Sequence, residues 1–483
     1  MTEVARHPRT TTALASGVNY HAVALIVGVA VAVAIRLLLA QSPGFRIDTQ
    51  IFQGWSQSLA ANHPWHFYDS TSTSDYTPGY LYVLWAFGEL DSLLHFNNSQ
   101  WEFLLKLPSI VADLASAWLI YKLLDGRGHR TQTGAVLAYL FFPPALLIGA
   151  FWGQVDSILA FCLLLTAFLL YKDKPLGATA ALTVGLLIKP QAIAVVPFAA
   201  FCIVRQHPLR VRRGIPQIPK VWLECMLLAG GLAVLLIAPF FGYEPWRLIL
   251  VLQNATSIVT YRVNSFGAYN FWNTGGTLNM AAKCDLPGHC APGVPATEFL
   301  SVATRYWGFA MFAGALAVIA YTLRNTRDLA SIALGTALSM MAFFMLLTRM
   351  HERYLFSCFL PLLLACALIR SRILWGLFAV AAFVHFANLY YIVGYNYLFN
   401  YKESAPYPGY LRWHAFYEVI TWRGHVPLLG DVEAAQILSI VLVSAFASML
   451  VCACYFARVS STQRTAAEQG DHARVRSVPY FRG

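Results

Sequence analysis

The chain has 483 residues, of which 58% are hydrophobic and only 12% are charged. Soluble domains carry about 25% charged residues, so this composition excludes an ordinary soluble protein and indicates an integral membrane protein. The formal net charge of +11 is explained by basic loops on the cytoplasmic side of a membrane, and we expect no nucleic-acid partner.

Apolar runs long enough to span a bilayer recur along the chain, each of roughly 20 residues. They cover residues 20–41, 106–124, 132–150, 154–171, 222–242, 300–323, 328–348, 354–369, 373–393 and 433–457. We predict an all-α multi-pass membrane protein with roughly 11 to 13 transmembrane or re-entrant helices, because a helix satisfies its backbone polar groups internally in lipid.

The predicted organisation is one polytopic membrane domain, residues 20–457, between two polar ends. Residues 1–19 are expected to be a cytoplasmic N-terminus without a cleavage site, so that the first span stays as an anchor. Residues 458–483 are expected to be a basic, disordered cytoplasmic tail. Within the domain we distinguish an N-terminal catalytic module, an external loop and C-terminal helices, at 20–260, 261–299 and 300–457.

The distribution of Arg and Lys predicts the orientation of the domain. When the basic loops lie in the cytoplasm, the remaining connections lie outside. These external connections are residues 42–77, 150–154, 242–299, 349–353 and 394–431.

Two apolar segments do not fit this orientation as straight spans. Residues 78–96 contain Glu89 and Asp91 and are interrupted by Gly88, so we predict an interfacial or re-entrant helix. Residues 176–205 are flanked by basic loops on both sides. We predict a broken helix pair there, with the break at Pro190.

The first external stretch contains an amphipathic segment, in which apolar residues recur at helical spacing between residues 47 and 59. This pattern predicts a helix on the outer membrane surface. Asp48 either caps that helix or is a catalytic carboxylate, and Asp75 either caps the next helix or supports the site. Tyr76 is either an interfacial anchor or a platform for a sugar ring.

Two further motifs place polar residues at the outer ends of apolar runs. In WGQVD, Trp152 suits an aromatic belt, and Gln154 and Asp156 stand at the head of a span, where an Asp also favours a helix N-terminus by charge alone. Lys189 precedes the predicted break, with Gln191 after it. Lys189 either snorkels to the interface or faces an outer cavity.

The motif HERYLF places His351, Glu352 and Arg353 together at an outer membrane boundary, where the positive-inside rule disfavours arginine. One interpretation is a salt bridge from Glu352 to Arg353 or to Arg349. The other is an anion site, in which Arg353 and His351 contact a phosphate and Glu352 orients one of them.

Two cysteines, Cys284 and Cys290, share the external loop as CDLPGHC. We predict a disulfide between them, because the external compartment would be oxidising. Two free thiols are the alternative, and we expect no metal site.

All these polar segments are far apart in sequence, yet the predicted orientation places them at a single outer cavity. A carboxylate base beside a basic phosphate pocket, at a lipid boundary, suits the transfer of a sugar from a lipid phosphate. The carboxylate deprotonates an acceptor hydroxyl, and the cations stabilise the departing phosphate.

In order and content these motifs resemble the GT-C superfamily of polyprenyl-phosphate-sugar-dependent glycosyltransferases. DYTPGYLYVLW, WGQVDS, LIKPQA and HERYLF are similar to motifs of bacterial membrane mannosyltransferases related to the GPI-anchor mannosyltransferases. The dolichyl-phosphate-glucose glucosyltransferases of N-glycan assembly are more distantly similar. The resemblance covers about residues 45–360, and the chain departs from it in having DYTP where many relatives have DYPP.

This resemblance implies a GT-C fold, no cofactor beyond the lipid-linked donor, and specific roles for several residues. Asp48 would be the catalytic base, and His351, Arg353 and Lys189 would face the donor phosphate. Asn270 and Trp272, in YNFWN, would touch donor or acceptor.

We therefore predict an inverting glycosyltransferase that moves a hexose, in the first instance mannose, from a polyprenyl-phosphate carrier. The acceptor is a hydroxyl of a lipid, glycan or protein at the outer face of a membrane, in a bacterium the inner membrane. The alternatives are a lipid-linked glycan polymerase or ligase, with residues 394–431 as its external loop, and a polytopic transporter or flippase. A transporter would place its polar residues near the bilayer midplane and often shows paired repeats.

Overall fold

The structure is a computed structural model of the chain. It describes residues 20–70, 74, 76–212, 215–249, 263–274, 283–290, 293–395, 416, 418–426 and 430–468.

The described part of the chain is mostly helical. Its first nine α-helices are α1 (Tyr20–Ala40), α2 (Arg46–Asn62), α3 (Phe67–Ser70), α4 (Pro78–Leu94), α5 (Asn98–Leu104), α6 (Leu107–Leu123), α7 (His129–Leu140), α8 (Pro143–Ala145) and α9 (Asp156–Tyr171). They are followed by α10 (Pro175–Ile188), α11 (Val196–Gln206), α12 (Lys220–Phe241), α13 (Thr304–Leu323), α14 (Leu329–Leu346), α15 (Phe359–Ile369), α16 (Arg372–Tyr395) and α17 (Ala434–Glu468).

Short strands form small sheets at the ends of these helices. The strands are β1 (Arg210–Arg212), β2 (Ile215–Gln217), β3 (Ser265–Phe266), β4 (Glu298–Phe299), β5 (Val302–Ala303), β6 (Met350–His351), β7 (Arg423–Val426) and β8 (Gly430–Glu433). Three of the pairs found in the described ranges, β1–β2, β4–β5 and β7–β8, are local and antiparallel. The β3–β6 pair is parallel and brings together distant parts of the chain, with Ser265 opposite Met350 and Phe266 opposite His351.

The predicted all-α, multi-pass architecture is confirmed. Among the described residues, eight helices are long and apolar enough to cross a membrane, and the bent pair His129–Leu140 and Pro143–Trp152 would make a ninth. Three shorter apolar helices, Asp156–Tyr171, Pro175–Ile188 and Pro190–Gln206, accompany them.

The helices differ in how much of their surface the protein covers. Side chains of α14 and α15 are buried along almost their whole length. In contrast, α1 and α12 expose large apolar side chains such as Ile26, Leu38, Leu227 and Leu235. An apolar surface of this extent indicates contact with lipid or another apolar partner, so α14 and α15 form the centre and α1 and α12 the periphery.

The predicted break at Pro190 is confirmed. Helix α10 ends at Ile188, and Lys189 has an extended backbone with φ −143° and ψ 120°. A 3-10 turn, Pro190–Val195, then leads into α11. Proline disfavours a helical conformation for the residue before it, so the sequence itself places Lys189 outside both helices.

The apolar segment predicted to span at 132–150 is bent. The helix stops after Leu140, and the segment Pro143–Trp152 continues at an angle of 41° to it. Pro143 and Pro144 follow directly, and neither can donate a backbone hydrogen bond to the preceding turn. The second half is π-helical at Leu146–Trp152.

The helix predicted at residues 78–96 is present as α4, which is continuous from Pro78 to Leu94 and is not interrupted at Gly88. Gly88 permits close packing: a Cβ there would lie 2.0 Å from the Ser56 carbonyl oxygen in α2. Gly79 has the same role against α10, where a Cβ would lie 2.4 Å from the Leu187 carbonyl oxygen. Small residues let helix backbones approach closely, so α4 is clamped between α2 and α10.

The expected disorder after residue 457 is corrected over part of its length. Helix α17 continues to Glu468, since no glycine or proline occurs between residues 458 and 468. The rest of the predicted tail lies outside the described residues, as do residues 1–19.

A buried ionic cluster that we did not predict joins the first span to the next ones. Arg36 in α1 donates from Nε to Oδ2 of Asp113 in α6 at 3.1 Å, and the Tyr139 hydroxyl in α7 donates to Asp113 Oδ1 at 2.9 Å. Arg36 also donates from NH1 to the Leu140 carbonyl at 2.7 Å. Both charged side chains are fully buried, so each depends on the other for compensation.

We expect Asp113→Ala to lower the free energy of unfolding by about 3–5 kcal/mol, because it leaves the Arg36 charge buried without its partner. Thermal unfolding of the purified protein in a fixed detergent measures this change. Asp125→Ala, an exposed acid in the loop after α6, is the matched control and should change little. The double variant Arg36→Met/Asp113→Leu should recover most of the loss; equal losses in the single and double variants would contradict the pairing.

Candidate active site

Asp48 lies in the first turn of α2, and its carboxylate is bound by residues more than 100 positions away. Its Oδ2 accepts hydrogen bonds from Trp152 Nε1 at 2.8 Å and from Gln154 Nε2 at 2.5 Å. The alternative that Asp48 caps α2 is wrong, because the capping position is Phe45 and no side-chain cap bond forms there. Oδ1 accepts no hydrogen bond from the described residues, so it is the oxygen available to a ligand.

The segment that holds Asp48 is itself fixed by the backbone. The π-helical turn ends at Gly153, whose φ of 92° lies in the left-handed region that favours glycine. The Gln154 carbonyl accepts from the Ser109 hydroxyl in α6 at 2.5 Å. The Phe45 ring stacks on Trp152 with ring centres 4.5 Å apart. Trp152 is 1% exposed, so it is not the aromatic-belt residue that its position suggested.

Lys106 is a second support that the sequence analysis missed. Its Nζ donates to the Ala40 carbonyl at 3.0 Å and to the Ser42 carbonyl, and its side chain is fully buried. The stem packs under Gly44 and Gly153, where an added Cβ would meet Lys106 carbons at 3.1 and 3.3 Å. Lys106 therefore holds the connection between α1 and α2 against the Trp152 turn.

Gln154 connects Asp48 to the break after α10. Its Oε1 accepts from the Tyr76 hydroxyl at 3.2 Å and from Lys189 Nζ at 3.5 Å. Lys189 Nζ also binds Asp156 Oδ2 at 2.7 Å, and both side chains are buried. The snorkelling alternative for Lys189 is therefore wrong, and Asp156 serves as its counter-ion.

The HERYLF motif packs onto the same group of residues. Arg353 NH1 binds Glu352 Oε1 at 3.1 Å, and His351 Nδ1 lies 3.8 Å from Glu352 Oε2. Lys189 Nζ and the Arg353 guanidinium carbon each lie 5.8 Å from the centre of the Tyr354 ring. Both cations also interact electrostatically with the Asp48 carboxylate, so the two distant segments form one cluster.

The salt bridge between Glu352 and Arg353 is thus formed, but it occupies only NH1 of the Arg353 guanidinium. The Arg353 Nε is buried and has no hydrogen-bond partner among the described residues. A buried donor without a partner is costly. It marks a position where an acceptor atom would be stabilised.

Burial lowers the pKa of His351 well below its usual range, and the nearby charges of Arg353 and Lys189 lower it further. His351 is therefore neutral near pH 7, and it can offer a ring N–H but no positive charge. Because its pKa is lowered by folding, the neutral form stabilises the protein above about pH 6.5, and this contribution is lost as the pH falls below that value.

The nine residues described above form what we call the Asp48 cluster. They are Asp48, Tyr76, Trp152, Gln154, Asp156, Lys189, His351, Glu352 and Arg353. Three of them are acidic and two, Lys189 and Arg353, are basic, so the cluster has no excess of positive charge.

The loop that contains Cys284 and Cys290 is attached next to this cluster through Asp285. Cys284 and Cys290 are joined in a disulfide, with Cα atoms 5.5 Å apart. The Asp285 carboxylate, directly after Cys284, accepts from Arg349 Nε and NH2, both at 2.8 Å, and from the Thr348 hydroxyl at 2.8 Å. Arg349 therefore pairs with Asp285. The alternative of a salt bridge between Arg349 and Glu352 is wrong.

Several predicted residues lie elsewhere. Asn270 accepts from the Trp272 backbone N–H at 3.1 Å and donates to the Phe344 carbonyl at 3.2 Å, and Trp272 Nε1 donates to the Leu346 carbonyl at 2.9 Å. Both side chains are buried and anchor the loop to the end of α14. No hydrogen bond or ion pair among the described residues links them to the Asp48 cluster.

Three further predictions have different outcomes. Gln191 lies in the 3-10 turn after Lys189, and its buried Oε1 accepts no hydrogen bond from the described residues. Asp75 lies outside the described residues. Asp69, expected to be a solvated bystander of the site, has a half-exposed side chain that pairs with Arg247 NH2 at 2.5 Å on the surface.

No protein-family model matches this sequence, and no curated protein sequence matches it significantly.

We expect Asp285→Asn to loosen the segment that carries His351 and Arg353, because an amide cannot accept both guanidinium hydrogen bonds and the Thr348 hydroxyl. Hydrogen–deuterium exchange of a peptide covering residues 348–358 should speed up by about tenfold or more, since each tenfold corresponds to about 1.4 kcal/mol. Glu298→Gln, an exposed acid in the same loop, is the control. Unchanged exchange in Asp285→Asn would show that the segment is held by other contacts.

Proposed function

We propose that this protein is an inverting glycosyltransferase of the GT-C type, which moves a hexose from a polyprenyl-phosphate carrier to an acceptor hydroxyl at the outer face of a membrane. The observation that carries the proposal is the state of Asp48. One carboxylate oxygen is fixed by Trp152 and Gln154, while the other accepts nothing from the described residues. The multi-pass architecture and the order of the motifs support it, and mannose is the sugar that the resemblance favours.

In the proposed reaction the free Oδ1 of Asp48 takes the proton of an acceptor hydroxyl. The acceptor oxygen then forms a bond to the anomeric carbon, on the face opposite the phosphate. The bond from that carbon to the phosphate oxygen breaks, and the lipid phosphate leaves with the electron pair. General-base assistance of this kind contributes about 10²–10⁴ in rate.

In the proposed site, Arg353 and His351 bind the donor phosphate. The Arg353 Nε is a buried donor without a partner among the described residues, and neutral His351 offers a ring N–H. Lys189 Nζ lies as close to the Tyr354 ring as the Arg353 guanidinium does, 5.8 Å from the ring centre. Donors that face the developing charge of a leaving phosphate stabilise the transition state.

The acidic residues beside the cations fit a singly charged phosphodiester. Asp156 holds Lys189 and Glu352 holds Arg353, so each cation has a fixed position before the donor arrives. Preorganised groups need no reorganisation during the reaction. The proposed site selects the phosphate by geometry and hydrogen bonding, since the charges of the cluster nearly cancel.

We expect Asp48→Asn to reduce transfer by at least about 10²-fold, because the amide cannot accept the proton. The measurement is the transfer of radiolabelled mannose from polyprenyl-phosphate-mannose by purified protein in lipid nanodiscs. Donor binding and thermal stability should be retained. Asp69→Asn removes a surface acid from the same external stretch and should leave transfer unchanged. Native rates in Asp48→Asn would remove Asp48 from its proposed role.

We expect Arg353→Ala to weaken donor binding by about tenfold or more, because hydrogen bonds to charged groups contribute about 1.5–3 kcal/mol. Titration of the nanodisc-bound protein with the polyprenyl-phosphate sugar measures this. The variant also leaves Glu352 unpaired, so its thermal stability must be followed in parallel. Arg247→Ala, which removes an external arginine outside the cluster, should bind the donor normally; the same affinity in both variants would assign Arg353 a purely structural role.

The same transfer assay separates the alternatives. A glycosyltransferase adds one labelled sugar to a lipid, glycan or protein fraction, whereas a polymerase or ligase transfers a longer lipid-linked chain. A transporter moves the intact donor across the bilayer without forming a glycosidic bond. Labelled donor that crosses the membrane chemically unchanged would overturn the proposed function.

A further inference from the structure

A polar cavity of about 360 Å³ lies between the first turns of α2 and helix α5. Its volume is within the range of about 300–1,000 Å³ that small-molecule sites occupy. Arg46, Gln50 and Gln53 of α2 line it at helical spacing, and Asn98 and Glu102 of α5 face them. Asp48 is two residues from both Arg46 and Gln50, so it projects from a different face of α2.

The chemistry of the lining suits an uncharged ligand with many hydroxyl groups. Gln41, Gln50, Gln53 and Asn98 line the cavity, and the side-chain amide of each can both donate and accept hydrogen bonds. Hydroxyl groups need this dual character. In the described structure none of these four amide groups hydrogen-bonds to another side chain, so they are available to a ligand.

The charged residues of the cavity argue against an anion. Arg46 and Glu102 both line it and interact electrostatically with each other. A phosphate would gain from Arg46 and be repelled by Glu102, whereas a diol can donate to the carboxylate and accept from the guanidinium. The cavity therefore fits a carbohydrate better than a lipid phosphate.

The cavity and the Asp48 cluster are neighbours that share the start of α2. Pro43 lines the cavity, and Phe45, two residues later, stacks on Trp152 in the cluster. The remaining partition is the helix, which is about 10–12 Å across with its side chains. A single ligand that occupies both places must therefore extend around α2 and be longer than one sugar unit.

We propose that this cavity binds an inner sugar unit of a glycan-bearing acceptor whose terminal hydroxyl lies at Asp48. The proposal rests on the glycosyltransferase function proposed above, and it adds that the acceptor carries at least two sugar units. The carboxamides of Gln50 and Gln53 recognise the inner unit, while the terminal unit supplies the reacting hydroxyl.

The test compares octyl mannoside and octyl mannobioside as acceptors for the native protein in nanodiscs. We expect the mannobioside to have a KM about tenfold lower, the gain of one or two net hydrogen bonds. The double variant Gln50→Ala/Gln53→Ala should lose this advantage without changing kcat or donor binding. Gln57→Ala, on the same helix but outside the cavity, with its amide 3.4 Å from Asp91, should keep it.

A second measurement separates this proposal from the proposed function. Saturation-transfer NMR of free mannobiose with donor-free protein reports binding alone, and both sugar rings should respond with the native protein but only weakly with the double variant. If the double variant loses mannobiose binding and neither the native protein nor the variant transfers sugar, the carbohydrate site is upheld and the transferase function is overturned. An equal response from native and variant protein, or displacement of the sugar by inorganic phosphate, would overturn the carbohydrate site.

Discussion

A single oxygen atom, Oδ2 of Asp48, connects α2 to the turn before α9. This oxygen accepts two hydrogen bonds, from Trp152 and Gln154, which hold the first turn of α2 against that turn. The turn itself depends on the left-handed backbone of Gly153 and on Lys106. The Lys106 side chain packs against Gly153 and donates to the carbonyls of Ala40 and Ser42. If this contact were lost, both the proposed base and the cavity on the far face of α2 would change position, because one short helix carries them both.

Among the described residues, four buried or partly buried Arg and Lys side chains lie beside a carboxylate, whereas the buried Lys106 binds backbone carbonyls. Arg36 lies with Asp113, Lys189 with Asp156, Arg353 with Glu352 and Arg349 with Asp285. An isolated charge at membrane depth costs about 2.5–3.5 kcal/mol on insertion scales, so a partner of opposite charge stabilises those that lie in membrane-spanning helices. The Asp48 carboxylate differs from the other acids, because its closest partners are neutral N–H groups. That difference leaves it chemically available while its position stays fixed.

The sequence predicted features that depend on local rules and missed those that depend on distant packing. Apolar length predicted the spans, and Pro190 predicted the break beside Lys189, since proline acts on the residue before it. The same rule applies to Pro143 and Pro144, but we did not use it when we predicted a span at 132–150, and the bend there was missed. The partners of Asp48 lie 104 and 106 positions away, and no local pattern specifies them. Asn270 and Trp272 look like site residues by motif, but their hydrogen bonds anchor a loop.

The Arg36–Asp113 pair has a consequence for biogenesis. The two residues are 77 positions apart, so at about 5–20 residues per second the ribosome needs roughly 4–15 s after Arg36 before it adds Asp113. During that interval α1 carries a charge without its counter-ion. The first helix would therefore remain beside the insertion machinery, or tilt to keep its guanidinium hydrated, until α6 enters. The distance in sequence between Arg36 and Asp113 therefore sets how long α1 exists in the membrane before its counter-ion in α6 is synthesised.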